Sequence, residues 1–229
     1  MVRRLKEDVL TQLPPKNIYF VHLSPDGEIA NLVKEEADLW RQLNAKVLNS
    51  KELMAIKGHV ANVRARLGFL KAPKIAEYIK WLFECGESRV VVFMMHLQAI
   101  KRLSDELATA NIEPLVLTGN ESFSERTTRV NRFQDVGRGK RAIVGQITAS
   151  GLGLTMTAAR YAVLGEISWT PGWNSQAIDR VHRITQTRTV EAPILTFPHA
   201  IEERVIRTAA QKALDAQNTL DTNLAALVT

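Results

Sequence analysis

The chain has 229 residues, a formal net charge of +6, 45% hydrophobic and 24% charged residues, and one cysteine. That length supports one substantial core, the composition is that of a globular chain, and no apolar run approaches the roughly 18 residues of a membrane span. Cys85 alone forms no internal disulfide, and the start MVRRLKEDVL lacks an apolar stretch with a cleavage signal, so an intracellular protein with no membrane partner is expected.

In chain order, Arg3 to Leu10 reads as a short helix stopped by Pro14 and Pro15. Ile18 to Leu23 alternates as a strand does. Ser24-Pro25-Asp26 can start a helix carrying Ile29, Leu32, Val33, Ala37, Leu39, Trp40 and Leu43, with Trp40 expected in the core. A second helical stretch is expected from Ser50 to Phe69, interrupted near Gly58 and ending around Gly68. From Ala72-Pro73-Lys74 a repeating pattern begins. A helix with Ile75, Ile79 and Leu82 leads to Arg89–Phe93, a continuous apolar run of the kind found in buried parallel strands. A helix through Ile100, Leu103 and Leu107 follows, then the strand Leu115–Leu117, the turn Thr118-Gly119-Asn120, a helix from Ser124 to Phe133, and the strand Ala142–Ile147. Strands separated by helices of this length imply right-handed crossovers and a parallel sheet covered on both faces. Arg126, Arg129, Arg132, Arg138, Lys140 and Arg141 lie within sixteen residues; they make either a solvated surface or a contact for a phosphate backbone.

The most informative stretch runs from Gln146 to Gln186. A turn, Ser150-Gly151-Leu152-Gly153, follows the strand, and its two glycines let a partner approach the backbone closely. Tyr161 to Leu164 reads as a strand, followed by a loop with Trp169, Pro171, Gly172 and Trp173. A helix capped by Asn174 or Ser175 is expected next. On it Ala177, Val181 and Ile184 would form an apolar face, and Gln176, Arg180 and Arg183 a polar one beside Asp179. Such a pair of arginines is either a solvated face with an ion pair or a receptor for phosphate, which the planar fork of Arg suits. Ala192 to Phe197 reads as the last strand, with Pro193 pointing to an edge or a strand start. A helix with Glu202 and Glu203 in its first turn begins near His199, and the tail from Asn218 is weakly amphipathic.

These residues carry a resemblance. Gln176-Ala177-Ile178-Asp179-Arg180-Val181-His182-Arg183-Ile184-Thr185-Gln186 resembles the last helicase motif of the Swi/Snf-type ATPases of helicase superfamily two, departing from it only at Thr185, where Gly is usual. Thr148 to Thr155 is similar to the preceding motif, with Ser150 in place of its first Gly. Leu154-Thr155 and Trp169-Thr170-Pro171-Gly172 resemble the annealing helicases that remodel stalled forks, although Thr170 stands where Asn is common. Val90–Phe93 resembles the fourth motif, and Thr118-Gly119 with Arg126 and Phe133-Gln134 the stretch after it. Arg3–Val9 with Leu13–Lys16 is similar to the segment that joins the two motor lobes.

The resemblance implies an α/β, RecA-like lobe: a parallel sheet with helices on both faces, plus an N-terminal helical segment and a C-terminal helix. Its parts would be a connector and helical protrusion over 1–70, the lobe over 71–200, and a helix and tail over 201–229. It implies a DNA-dependent ATPase in which Arg180 and Arg183 are the catalytic arginines. Gln176, Asp179, Gly151 and Gly153 would lie beside the nucleotide, and Thr118, Gly119, Thr148, Ser150 and Arg126 on the DNA backbone. The implied cofactor is ATP with Mg, held mainly by a first lobe. The implied partners are double-stranded or forked DNA and an N-terminal RecA-like lobe in cis or in trans. The compartment would be cytoplasm or nucleoid in a prokaryote or virus and the nucleus in a eukaryote.

Other chemistries find less support. The five histidines show no metal-ligand spacing, and no metal site is expected. Gly151-x-Gly153 lacks the third glycine of a dinucleotide fingerprint, with Met156 at that place, and no Gly-x-Ser-x-Gly elbow occurs. Nor does the sequence contain a Gly-x-x-x-x-Gly-Lys-Ser/Thr phosphate loop or an Asp-Glu magnesium motif. Half a motor, inactive alone, is therefore expected. The alternatives are a non-catalytic module that binds DNA or protein, and the second lobe of an RNA helicase, which the Asp-Arg-x-His-Arg spacing disfavours.

Overall fold

The structure, a computed structural model, describes residues 13–45, 49–135, 137 and 139–208; the helix expected over Arg3–Leu10 and the tail from Asn218 lie outside them. Strands and helices alternate: β1 (Lys16–His22), α1 (Gly27–Ala45), α2 (Ser50–Glu84), β2 (Arg89–Met94), α3 (Leu97–Thr109), β3 (Glu113–Leu117), α4 (Phe123–Gln134) and β4 (Arg141–Gln146). A 3-10 segment (Ile147–Leu152), β5 (Tyr161–Leu164), α5 (Pro171–Ile178) and β6 (Val190–Thr196) follow, and residues 201–208 are again helical. The six strands form one parallel sheet in the order β1-β6-β5-β2-β4-β3.

Side-chain alternation divides the core between the two sheet faces. From the central strands, Val91, Phe93 and Ile143 pack with Phe133 of α4 and Ala177 of α5. Val90, Val92 and Val144 face the other way, onto Ile75 and Ile79 of α2 and Ile100 and Leu103 of α3. All six residues of β2 are buried, so its continuous apolar run is what two covered faces require. Each such aliphatic side chain contributes roughly 1.5–3 kcal/mol of transfer free energy. A third cluster joins Ile29, Leu32 and Val33 of α1 to Val60, Val63 and Leu67 of α2 and to Phe197 after β6. It fastens α1 and the first half of α2 to the end of β6.

Two expectations are corrected. The interruption expected near Gly58 and the helix end expected around Gly68 do not occur, because α2 runs unbroken for 35 residues from a capping box between Asn49 and Glu52. Pro73 cannot donate to the carbonyl of Phe69, but the Arg102 guanidinium does so at 3.1 Å and satisfies the group that proline leaves bare. Residues 70 and 71 both lie within α2. Pro193 is not at an edge either, since β6 lies between β1 and β5. Glu191 donates to the Arg160 carbonyl, so by alternation position 193 also faces β5. There the strands pair at Tyr161 with Glu191 and Leu164 with Ile194, on either side of the proline. The sheet tolerates it by omitting the bond it cannot make.

Candidate nucleotide-phosphate and DNA-backbone site

In a parallel sheet the loops beyond the carboxyl ends of the strands form the binding surface. Here that rim carries Thr118 and Gly119 after β3, the 3-10 segment with Thr148 to Gly151 after β4, and the loop from Gly165 to Thr170 after β5. Asn174 shapes the last of these. Its side chain accepts from the Ser168 amide and donates to the Ser168 carbonyl, both at 2.8 Å. The cap expected at Asn174 or Ser175 is thus corrected: α5 begins at Pro171, whose missing N–H costs nothing at a first helical position, and both residues sit inside the helix.

The helix also ends early. After Ile178 the chain proceeds by tight turns, with Arg180 N donating to Ala177 O and Gln186 N to Arg183 O. Gln186, 3% exposed, fixes this path: its Nε2 donates to the carbonyls of Thr157, Ala159 and Val181. Arg180 and Arg183 are therefore not neighbours on one helical face, as the spacing implied, but are brought together by the turns. Ile184, placed on the expected apolar face with Ala177 and Val181, is 73% exposed while those two are buried. Two distant residues hold the segment from outside. His182 Nε2 lies 2.8 Å from the Pro14 carbonyl, and Lys16 pairs with Asp179 at 3.3 Å.

An open cleft of about 590 Å³ results, lined by Thr155, Gln176, Asp179, Arg180, Arg183, Ile184 and Thr185. Arg183 donates to Gly153 O at 2.8 Å and Thr155 Oγ1 at 2.9 Å, tying the arginine turn to the glycine turn. Gly153 has φ of +75°, so a residue with a Cβ would be strained there. Arg180 differs: it is 9% exposed, and its buried Nε has no hydrogen-bond partner. Burial and then the neighbouring Arg183 charge push its pKa below the usual arginine value, with Asp179 opposing. A desolvated guanidinium beside a second one at a cleft wall has the chemistry that suits a bound anion. Four of the expected nucleotide-side residues, Gln176, Asp179, Arg180 and Arg183, thus share one cleft, and Gly153 joins it through its carbonyl; Gly151 lies in the 3-10 segment. The donor set fits the phosphate end of a nucleotide. It does not fit the metal: among the described residues no group of three or more His, Cys, Asp or Glu could hold an ion.

The expected DNA-side residues form a second group. Gly119 and Thr148 are exposed, and Ser150 lies in the 3-10 segment. Leu117 at the end of β3 and Arg126 of α4, which flank one loop, border the same small cavity as Gln146 at the end of β4 and Ala149 of the 3-10 segment, so the two rim segments adjoin. Thr118 is 5% exposed and donates from both N and Oγ1 to Glu121. Arg126 lies behind the loop, donating to Gly119 O at 3.0 Å, which makes it a brace for the loop in this structure. Much of the basic cluster is engaged internally in the same way. Arg129 binds Val116 O and Glu121, Arg132 pairs with Glu113, and Arg141 binds Glu113 and the carbonyls of Arg132 and Asp135. Arg138 lies outside the described residues. Gln186 and Lys16 fall within two of the motifs, but the sequence gives neither them nor Glu121 a role, because those roles depend on pairings that no local pattern encodes.

Residues 73–185 match the family model described as "Helicase conserved C-terminal domain". Over 194 residues the chain is 32% identical to "SWI/SNF-related matrix-associated actin-dependent regulator of chromatin subfamily A-like protein 1" of Xenopus tropicalis, covering 83% of this chain and 20% of that protein. Over 190 residues it is 32% identical to "DNA annealing helicase and endonuclease ZRANB3" of Homo sapiens, covering 83% of this chain and 17% of that protein. The chain thus spans about a fifth of the length of these relatives. The fold is similar to the Sulfolobus solfataricus SWI2/SNF2 ATPase core domain, with a TM-score of 0.65 and 22% identity over 92% of this chain and 46% of that one. It is likewise similar to that core in complex with dsDNA, with a TM-score of 0.63 and 20% identity over 86% and 44% of the two chains. The domain match, the relatives and the shared RecA-like sheet agree with the motifs at the cleft: the chain belongs to the Swi/Snf-type helicases of superfamily two and is their C-terminal lobe.

Proposed function

We propose that the chain works as the second lobe of an ATP-dependent double-stranded DNA translocase of the fork-remodelling type, with the first lobe supplied in cis or in trans. The observation that carries this reading is Arg180, buried without a partner at Nε beside Arg183 on the wall of an open cleft. ATP, held with magnesium mainly by the first lobe, supplies the phosphoryl group and its charge. Arg180 and Arg183 donate to the phosphate oxygens as the lobes close, and Gln176 supports them from α5. Asp179 orients the turn through Lys16. Thr118, Gly119 and the 3-10 segment with Thr148 and Ser150 grip one DNA strand through amides and hydroxyls, contacts that carry no sequence information. Each closure then moves this grip relative to the first lobe. Residues 1–70 act as connector and protrusion, 71–200 as the lobe and 201–229 as the following helix and tail, in an intracellular compartment that holds DNA.

The test is nucleotide-dependent docking. On duplex DNA, a purified first lobe of a related motor loaded with ADP and aluminium fluoride is expected to bind this chain, and Arg180→Ala is expected to lose that binding. Association of equal strength without nucleotide, or in the variant, would overturn the proposal.

A further inference from the structure

The loop after β3 holds an anion receptor filled by the chain's own carboxylate. Glu121 Oε2 accepts from Thr118 N at 2.7 Å and from Thr118 Oγ1 at 2.9 Å, while Oε1 accepts from the Arg129 guanidinium at 3.0 Å. An amide, a hydroxyl and a guanidinium converging on two oxygens of one negative group are the donors a phosphodiester would also take. We infer that Thr118 N, Thr118 Oγ1 and Arg129 form a phosphodiester subsite that Glu121 fills in the free chain, and that duplex DNA binds there by replacing the carboxylate with a backbone phosphate. The inference rests on the DNA-grip reading above and adds to it Arg129 as a ligand and Glu121 as the group displaced.

Three features of the loop favour exchange. Burial works to raise the Glu121 carboxyl, but the hydrogen bonds from Thr118 and Arg129 outweigh it and hold the pKa below the usual value, so the group stays charged. A carboxylate and a phosphate, each carrying negative charge, cannot share these donors. The approach is open: Gly119 and Asn120 are exposed, and a Cβ at Gly119 would meet nothing within 4 Å. The receptor does not depend on Glu121 for its shape, because Arg129 also donates to Val116 O and Arg126 holds Gly119 O from behind. Once Glu121 turns outward, its donors remain in place.

The experiment is fluorescence anisotropy of a labelled duplex titrated with the full 229-residue chain at several salt concentrations. Glu121→Ala is expected to bind about tenfold more tightly, the equivalent of one displaced charge-assisted contact. Adding Arg129→Ala to it is expected to abolish the gain and lower the salt slope by about one. Thermal melts check each fold, and Glu121→Gln, neutral but isosteric, is expected to tighten binding should the alanine variant fail to fold. If the wild-type chain binds duplex and neither Glu121 variant binds more tightly, the exchange is overturned while the DNA grip stands. If the wild-type chain shows no salt-dependent duplex binding, the DNA-grip reading falls and the inference with it.

Discussion

Glu36 on α1 is 2% exposed, and its Oε2 is buried without a hydrogen-bond partner. It borders a small enclosed cavity with Arg64, Lys71, Glu166 and Glu202. Burial, then the charge of Glu202, pushes its pKa up from 4.5 to about 7, against weaker opposing effects of Arg64, the Ile201 amide and Lys71. Because the folded state holds the proton more tightly than the unfolded chain, the stabilisation from this proton is complete below about pH 4.5 and lost as pH rises through 7. At roughly 1.4 kcal/mol per unit, ionised Glu36 costs the folded state about 3 kcal/mol at pH 9. Glu36→Gln removes that titration and keeps the shape. Urea unfolding from pH 5 to pH 9 is therefore expected to show the variant within about 1 kcal/mol of wild type at pH 5 and about 3 kcal/mol more stable at pH 9. A stability difference that does not change with pH would refute the reasoning.

Two further expectations concern packing. A Cβ at Gly68 would lie 2.2 Å from Glu166 Oε1, and that carboxylate is fixed by the amides of Met95 and His96 and by His96 Nδ1. Gly68→Ala is thus expected to destabilise by about 2 kcal/mol or more despite the better helix propensity of alanine, measured by urea unfolding. A stabilised variant would contradict it. Arg89, 1% exposed, donates to the carbonyls of Ser88, Phe133, Asp135, Gly137 and Gly139. Arg89→Met removes these five bonds, leaving Asp135 O only its bond from Arg141, and is expected to cost on the order of 3–5 kcal/mol in the same assay, and a loss below 1 kcal/mol would show that water replaces the guanidinium.

The strands were the most legible part of the sequence. The run Val90 to Phe93, typical of a strand covered on both sides, lies in β2, and β5 spans Tyr161–Leu164 as the pattern predicts. The helices were less so, because their limits depend on distant partners. Arg102, 29 residues on, makes Pro73 tolerable inside α2, and Gln186 holds the turns that end α5. At the site, the arginines were visible from residue type and spacing, but the geometry that joins them was not. A helical period put them together for the wrong reason: Ile184 continued the apolar spacing, yet the chain had already left the helix at Ile178. Glu121 gave no signal, since a single carboxylate in a turn says nothing until its bonds to Thr118 are seen. The ties of Pro14 to His182 and Lys16 to Asp179 explain why two segments so far apart in sequence belong to one site.

The central claim is that this lobe supplies arginines to a nucleotide held by another. ATP turnover with duplex DNA should be measured for this chain alone, for a separately purified first lobe of a related motor alone, and for the two mixed. The account predicts turnover only on mixing, reduced on the order of a thousandfold by Arg183→Ala. Turnover by this chain alone, or mixed turnover indifferent to Arg183→Ala, would contradict it.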